Sequence, residues 1–338
     1  MKRMLLIILP LILLFAVGAV SAAQDRPVIV ASTTILADVA QNVAGDLLTV
    51  TPLIPANVDP HAFEPTTAHA ALVAGADALL VVGAGYEAFL ADLLTTVGAD
   101  IPVYVISNGI EILPYGGPHE HEGEEAAADH EDEHEHLGVL GDGFECEPHE
   151  HEAEAEDEHE HGACDPHVWH DVANVLTWTE NLVASFSAID PANADAYRAN
   201  GEAYIAQLDA LDVEIRAIVS TIPEDRRVLI TNHEFMGYYA HAYGFEVAAT
   251  VLPAAATGGE IAPQDLAGLI ELVRAEGVPA IFAENTTTAQ LAELIAQEAG
   301  VNVVTTLYSD ALGTPESGAA TYIDLMRFNT QTIADALK

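Results

Sequence analysis

The chain has 338 residues, half of them apolar, and 53 acidic residues against 10 basic ones give a formal net charge of -43. That length supports one or two hydrophobic cores, and the apolar share argues for folded structure over most of it. Charge of this sign excludes nucleic acid as a partner, because nucleic-acid binders displace phosphate counterions with basic surface.

Residues 1–23 open on Lys2 and Arg3, continue through an apolar stretch to Val20 and close on Ser21, Ala22 and Ala23. This is the pattern of a cleaved secretory signal peptide. Residues 4–20 also approach the length of a membrane span, so an uncleaved N-terminal anchor is the competing reading. Both readings put the rest of the chain outside the cytoplasm, secreted, periplasmic or on the outer face of the membrane. No Cys follows the apolar run, so lipid attachment there is not expected.

Residues 24–191 read as an N-terminal α/β lobe. Short apolar runs at 27–31, 48–54, 78–82 and 102–106 have the composition of buried strands. Between them, 35–44, 67–74 and 87–97 place apolar residues three and four apart, as one buried helix face requires. Residues 119–161 break this rhythm with nine His, nineteen Asp or Glu and no Lys or Arg. Such a segment cannot bury enough apolar surface to fold alone and reads as a disordered, His-rich acidic insertion. The only cysteines, Cys146 and Cys164, have two open readings: a disulfide in an oxidising compartment, or two more soft ligands among the histidines.

Residues 192–221 are rich in Ala, Leu, Ile and Glu, contain Gly201 as their only Gly and have no Pro, and are expected to form one connecting helix of about seven to eight turns. Residues 222–338 repeat the first rhythm as a C-terminal α/β lobe, with strands at 228–231, 247–251, 280–283 and 303–306 and helices near 235–243, 263–276 and 288–298. The expected fold is therefore α/β, with two lobes, each a mainly parallel sheet flanked by helices, joined by one long backbone helix.

Four positions follow predicted strands, two in each half: His61 in Asp59-Pro60-His61 after the second strand, His167 in Asp165-Pro166-His167 after the fourth by way of the insertion, His233 in Thr231-Asn232-His233 after the first strand of the second half, and Asp310 in Tyr308-Ser309-Asp310 after its fourth. Open parallel sheets bind ligands outside the carboxyl ends of their strands, where the loops converge. If the lobes face each other across those ends, three imidazoles and a carboxylate meet. That donor set suits tetrahedral zinc and tolerates manganese or iron. In each Asp-Pro-His, proline stiffens the backbone before the imidazole. The Asp either orients the ring through a hydrogen bond or closes a turn. Glu284, at the end of the third strand of the second half, is the alternative oxygen ligand, with an outer hydrogen-bond acceptor as its preferred role. His69 and His241 fall inside helical patterns, and Trp169 and Trp178 read as core and cleft wall.

These motifs resemble the metal-receptor cluster of solute-binding proteins for ABC importers, zinc-uptake type. The resemblance runs through Val58-Asp59-Pro60-His61-Ala62-Phe63-Glu64-Pro65, Asp165-Pro166-His167-Val168-Trp169-His170-Asp171, Thr231-Asn232-His233 with Gly237-Tyr238-Tyr239, and Ser309-Asp310-Ala311-Leu312-Gly313. It implies two lobes on a backbone helix without large closure, a metal ion at their interface as cargo, a membrane permease as partner, a monomeric receptor, and a His-rich loop as in zinc-type members. His170 departs from the family, which commonly has an apolar residue there; it is expected to be a surface residue, with an extra ligand as the alternative.

Two other functions use the same donors. A zinc hydrolase needs an open coordination position, which Asp310 would fill, and the chain lacks His-Glu-x-x-His, since His241 stands eight residues after His233. An extracellular metal buffer would make the insertion the working part. The expected function is capture of Zn2+, or of Mn2+ or a similar divalent ion, for an importer.

Overall fold

The computed structural model describes residues 26–56, 58–98, 100–115, 164–252, 263–286 and 288–338. The expected signal segment at 1–23 and the insertion at 119–161 lie outside the described residues, as does Cys146. Cys164 is disulfide-bonded.

The first lobe runs β1 (Val28–Ala31), α1 (Thr34–Ala44), β2 (Thr49–Pro52), α2 (Thr67–Ala74), β3 (Ala78–Val81), α3 (Leu90–Val97) and β4 (Val103–Val105). All four strands are parallel, in the order β2-β1-β3-β4. After α4 (Val172–Ile189) and α5 (Ala194–Val219), the second lobe runs β5 (Val228–Thr231), α6 (Gly237–Tyr243), β6 (Glu246–Thr250), α7 (Pro263–Glu276), β7 (Ala280–Glu284), α8 (Gln290–Ala299), β8 (Asn302–Leu307) and α9 (Tyr322–Leu337). Its strands repeat the parallel order as β6-β5-β7-β8. Strands β3 and β7 are buried at every position, which is why they read as unbroken apolar runs rather than as alternation.

Thr33 caps α1 by accepting from the Leu36 amide, and the helix buries Ile35, Leu36, Val39, Ala40 and Val43. The inner faces of both sheets share one continuous core with α1, α4, α5 and α9. Smaller cores close the outer faces, under α2 and α3 in one lobe and under α7 and α8 in the other. Helix α5 is about 39 Å long at 1.5 Å per residue, and buries Tyr197, Gly201, Tyr204, Leu208, Leu211, Ile215 and Val219 along one stripe. A side chain at Gly201 would meet Val183 Cγ2 at 2.4 Å, so glycine lets α4 and α5 approach closely. A hinge between the lobes would have to break this shared packing.

Some boundaries differ from expectation. The connecting helix is not one element from 192: a 3-10 turn at Pro191–Asn193 precedes α5, because Pro191 fixes the backbone for the first turn. Helix α3 starts at Leu90 rather than 87. The Gly83-Ala84-Gly85 run, all at positive φ, reverses the chain first, and Glu87 is occupied in capping the amides of Val82 and Gly83 at 2.7 and 3.0 Å. Helix α6 starts at Gly237, after Phe235 is buried in the loop. Helices α4 and α9 were not marked in the sequence. Among the described residues, no helix is long and apolar enough to cross a membrane.

Candidate metal centre

Loops leaving the carboxyl ends of strands in both sheets converge on one largely buried cluster of polar residues. His61 lies in the loop after β2, where Asp59 Oδ1 accepts from its backbone amide at 2.9 Å. His167 follows a segment tied back to the first lobe by the Asp165 amide donating to Leu113 O at 2.8 Å. His233 follows β5, its carbonyl accepting from Thr231 Oγ1 at 2.7 Å. Asp310 follows β8 in a loop held from several sides. Asn329 of α9 bonds both the amide and carbonyl of Tyr308 at 2.9 and 2.7 Å, and Thr34 Oγ1 of α1 accepts from the Leu312 amide at 2.9 Å.

The structure brings together His61, His167, His233 and Asp310, whose candidate ligand atoms all lie within 4.8 Å of one another. His167 Nε2 is 3.2 Å from His61 Nε2, 3.3 Å from His233 Nε2 and 3.2 Å from Asp310 Oδ1. Asp310 Oδ1 is 3.8 Å from His61 Nε2, and Asp310 Oδ2 is 3.7 Å from His233 Nε2. A tetrahedral ion with bonds of 2.0–2.1 Å has ligand atoms roughly 3.4 Å apart, within this spread.

Two outer carboxylates set the rings. Asp165 Oδ1 accepts from both the amide of His167, at 2.9 Å, and its ring Nδ1, at 2.7 Å. Glu284 Oε1 accepts from His233 Nδ1 at 2.6 Å. With Nδ1–H committed in each neutral ring, the Nε2 lone pairs of His167 and His233 face the centre. Three nitrogens and a carboxylate then converge where lone pairs repel unless a proton or cation lies between them. Asp310 Oδ1 has no well-directed hydrogen bond among the described residues.

Burial opposes the charged form of His167, but the carboxylates of Asp165 and Asp310 override it and push its pKa up to about 10. His233 is raised as well: burial lowers it, while Glu284 and Asp310 prevail. Burial also acts against ionised Asp310, but the surrounding rings of His167, His61 and His233 hold it well below the carboxylate range. Without metal the cluster therefore stores protons, and a metal ion must displace them to reach the Nε2 atoms.

The sequence reading of Glu284 as an outer acceptor matches its hydrogen bond to His233. Of the two Asp-Pro-His aspartates, Asp165 orients its ring, while Asp59 closes a turn. The expectation for His170 is overturned. It is wholly buried, with its ring against Trp169 and Phe235 at centroid distances of 5.8 and 5.3 Å, because the 3-10 turn Val168–His170 folds it inward. Nor does it join the cluster: its Nε2–H donates to Ser309 O at 3.2 Å, and burial lowers its pKa to about 3. His69 completes a capping box at the start of α2, and His241 is exposed on α6.

Two residues at the site went unmarked. The Tyr86 ring meets His61 edge-on at 5.6 Å and walls the cleft, and Glu87 beside it is buried with its pKa raised by desolvation. Both follow β3, so the strand-end rule that selected the four ligand candidates points to them too. Gly237, the first residue of α6, also shapes the site. A side chain there would meet Asp165 Oδ2 at 2.5 Å, so glycine lets α6 press against the carboxylate that orients His167.

The family model described as zinc-uptake complex component A, periplasmic, matches residues 29–336. The manganese-binding lipoprotein MntA of Halalkalibacterium halodurans is 30% identical over 309 residues, covering 91% of this chain and 88% of its own. The iron-binding protein YfeA of Yersinia pestis is 28% identical over 308 residues, covering 90% and 85%. Among solved structures, the periplasmic zinc binding protein TroA from Treponema pallidum superposes with a TM-score of 0.73 at 24% identity, covering 92% of this chain and 99% of that one, a likeness of fold.

Proposed function

This chain belongs to the family of periplasmic zinc-uptake components A, metal-binding solute receptors of ABC importers rather than enzymes, and from that premise we propose that it captures Zn2+ outside the cytoplasm and delivers it to a membrane permease. His61, His167, His233 and Asp310 are the proposed ligands. The observation that carries this reading is the convergence of three Nε2 atoms and Asp310 Oδ1 on one point, with all candidate ligand atoms within 4.8 Å of one another and His167 Nε2 3.2–3.3 Å from the other three. Three imidazole nitrogens and one carboxylate favour the four-coordination of zinc over the octahedral oxygen-rich shell that suits manganese. The names of the relatives include manganese and iron, so the choice of ion rests on the donor set and not on kinship.

Four protein donors leave no coordination position for an activated water, which separates a carrier from a hydrolytic zinc site. Residues 24–191 and 222–338 act in this reading as two halves of one monomeric receptor around a fixed cleft. Metal analysis of protein purified without added metal, followed by competition among Zn2+, Mn2+ and Fe2+, tests the assignment. One equivalent of zinc held against excess manganese is the expected result. Manganese displacing zinc would overturn the choice of cargo, and Asp310→Asn with unchanged affinity would remove Asp310 from the ligand set.

A further inference from the structure

Ser309, the residue before Asp310, offers one carbonyl to two donors from the other side of the cleft. Trp169 Nε1–H reaches it at 2.9 Å and His170 Nε2–H at 3.2 Å, occupying both lone pairs. The same serine points its hydroxyl at Asp310, with Oγ–H donating to Oδ2 at 2.8 Å, and Thr286 Oγ1 lies 3.1 Å from that hydroxyl. Oδ2 is thereby held, and Oδ1 is left 3.2 Å from His167 Nε2. Trp169 and His170 belong to the 3-10 turn that directly follows His167. One short segment therefore presents one proposed ligand and grips the loop that presents another.

His170 is retained at a cost. Because a carbonyl can only accept, Nε2 must carry the hydrogen, which leaves Nδ1 as a bare acceptor. That atom is buried without a hydrogen bond among the described residues, and burying an unpaired acceptor destabilises a fold. A leucine would fill this aromatic-lined space without that cost. What leucine cannot supply is the N–H to Ser309.

We infer that His170 is a positioning residue, which with Trp169 locks the Ser309–Asp310 loop against His167 and so fixes one edge of the coordination site before an ion arrives. The inference rests on the proposed ligand set. Its consequence is a cleft that cannot widen toward longer-bonded ions and that releases zinc slowly.

The test uses the full chain with one equivalent of Co2+ as a spectroscopic stand-in for zinc, together with zinc release to a chelator and the apparent zinc-to-manganese preference. Wild type should give the intense visible bands of tetrahedral cobalt, and His167→Ala should lose them. His170→Leu should weaken or shift the bands, speed zinc release by roughly tenfold, the upper range for one lost hydrogen bond, and narrow the preference for zinc. The metal-free protein should melt no lower than wild type. His170→Gln, whose amide nitrogen can reach Ser309 O, should restore slow release. If His170→Leu keeps the wild-type spectrum and release rate while His167→Ala behaves as expected, the inference fails and the ligand set stands. If leucine alters both but glutamine restores neither, ring packing rather than the N–H sets the site, and the inference fails as well. If wild type shows no tetrahedral bands, or His167→Ala keeps them, the ligand set falls and takes the inference with it.

Discussion

Two tripeptides of identical sequence, Asp59-Pro60-His61 and Asp165-Pro166-His167, lead to one cluster but hold their histidines differently. Asp165 accepts from both the backbone and the ring of its histidine, and the His167 side chain is wholly buried. Asp59 accepts from the backbone amide of His61 and, among the described residues, not from its ring, and the His61 side chain keeps 8% of its surface exposed, the largest share among the four. The difference lies in where each aspartate is held. The Asp165 amide and carbonyl are bound by Leu113 O and the Tyr238 hydroxyl, and its carboxylate is packed against Gly237, so it has one orientation. One motif thus yields an anchored imidazole and a looser one at the solvent side, so in the proposed ligand set His61 is expected to bind last and leave first.

Titrations on protein lacking residues 120–160, where the His-rich segment cannot compete, break or sharpen this contrast. His167→Ala should have the largest effect, weakening zinc by more than the roughly 10–100-fold typical of losing an outer partner, because it removes a ligand and strands Asp165 in a buried site. Isothermal titration would show it. Asp165→Asn keeps the shape but lowers the basicity of the ring, and should cost roughly 10–100-fold by the same measurement.

Acidification comes next. His167 has its pKa raised to about 10 by Asp165 and Asp310, so it is protonated in the metal-free cleft throughout the neutral range and deprotonated when it binds metal. Affinity should therefore rise with pH up to that value and fall about tenfold per unit below it for each proton displaced. Titrations in buffers of different ionisation enthalpy would count the protons released, and none released would contradict the stored-proton account.

His61→Ala should weaken binding about tenfold, and stopped-flow release should place most of the change in the off-rate. Asp59→Asn should have the smallest effect, within a few-fold, because an asparagine oxygen closes the same turn. An Asp59→Asn loss equal to that of Asp165→Asn would erase the contrast.

Much of this organisation was legible in the residues. Parallel strands buried on both faces declare themselves as apolar runs, and strand ends select loops, so His61, His167, His233 and Asp310 could be named before any coordinates. Helix α4 was not legible because Val, Thr, Trp, Asn and Ser lower its helix propensity, and its buried face includes Thr179 and Ser185. Helix α9 likewise buries Asn329 and Thr330, polar residues whose partners lie far away in sequence: Asn329 serves Tyr308, and Thr330 meets the Tyr239 hydroxyl. His170 was misplaced because a histidine after a ligand motif looks like surface until Trp169 and Phe235 are seen to close over it. In each case the deciding contact is tertiary, and periodicity carries no trace of it.

The central claim is that one divalent ion sits among three imidazoles and one carboxylate at the junction of the lobes. An anomalous-difference map of zinc-loaded crystals, recorded on both sides of the zinc edge, tests it most directly. The account predicts one strong peak in the cleft, about 2.0–2.2 Å from Nε2 of His61, His167 and His233 and from Asp310 Oδ1. A peak coordinated by Glu284 in place of Asp310, or no peak at the cleft while zinc remains bound to the protein, would contradict it.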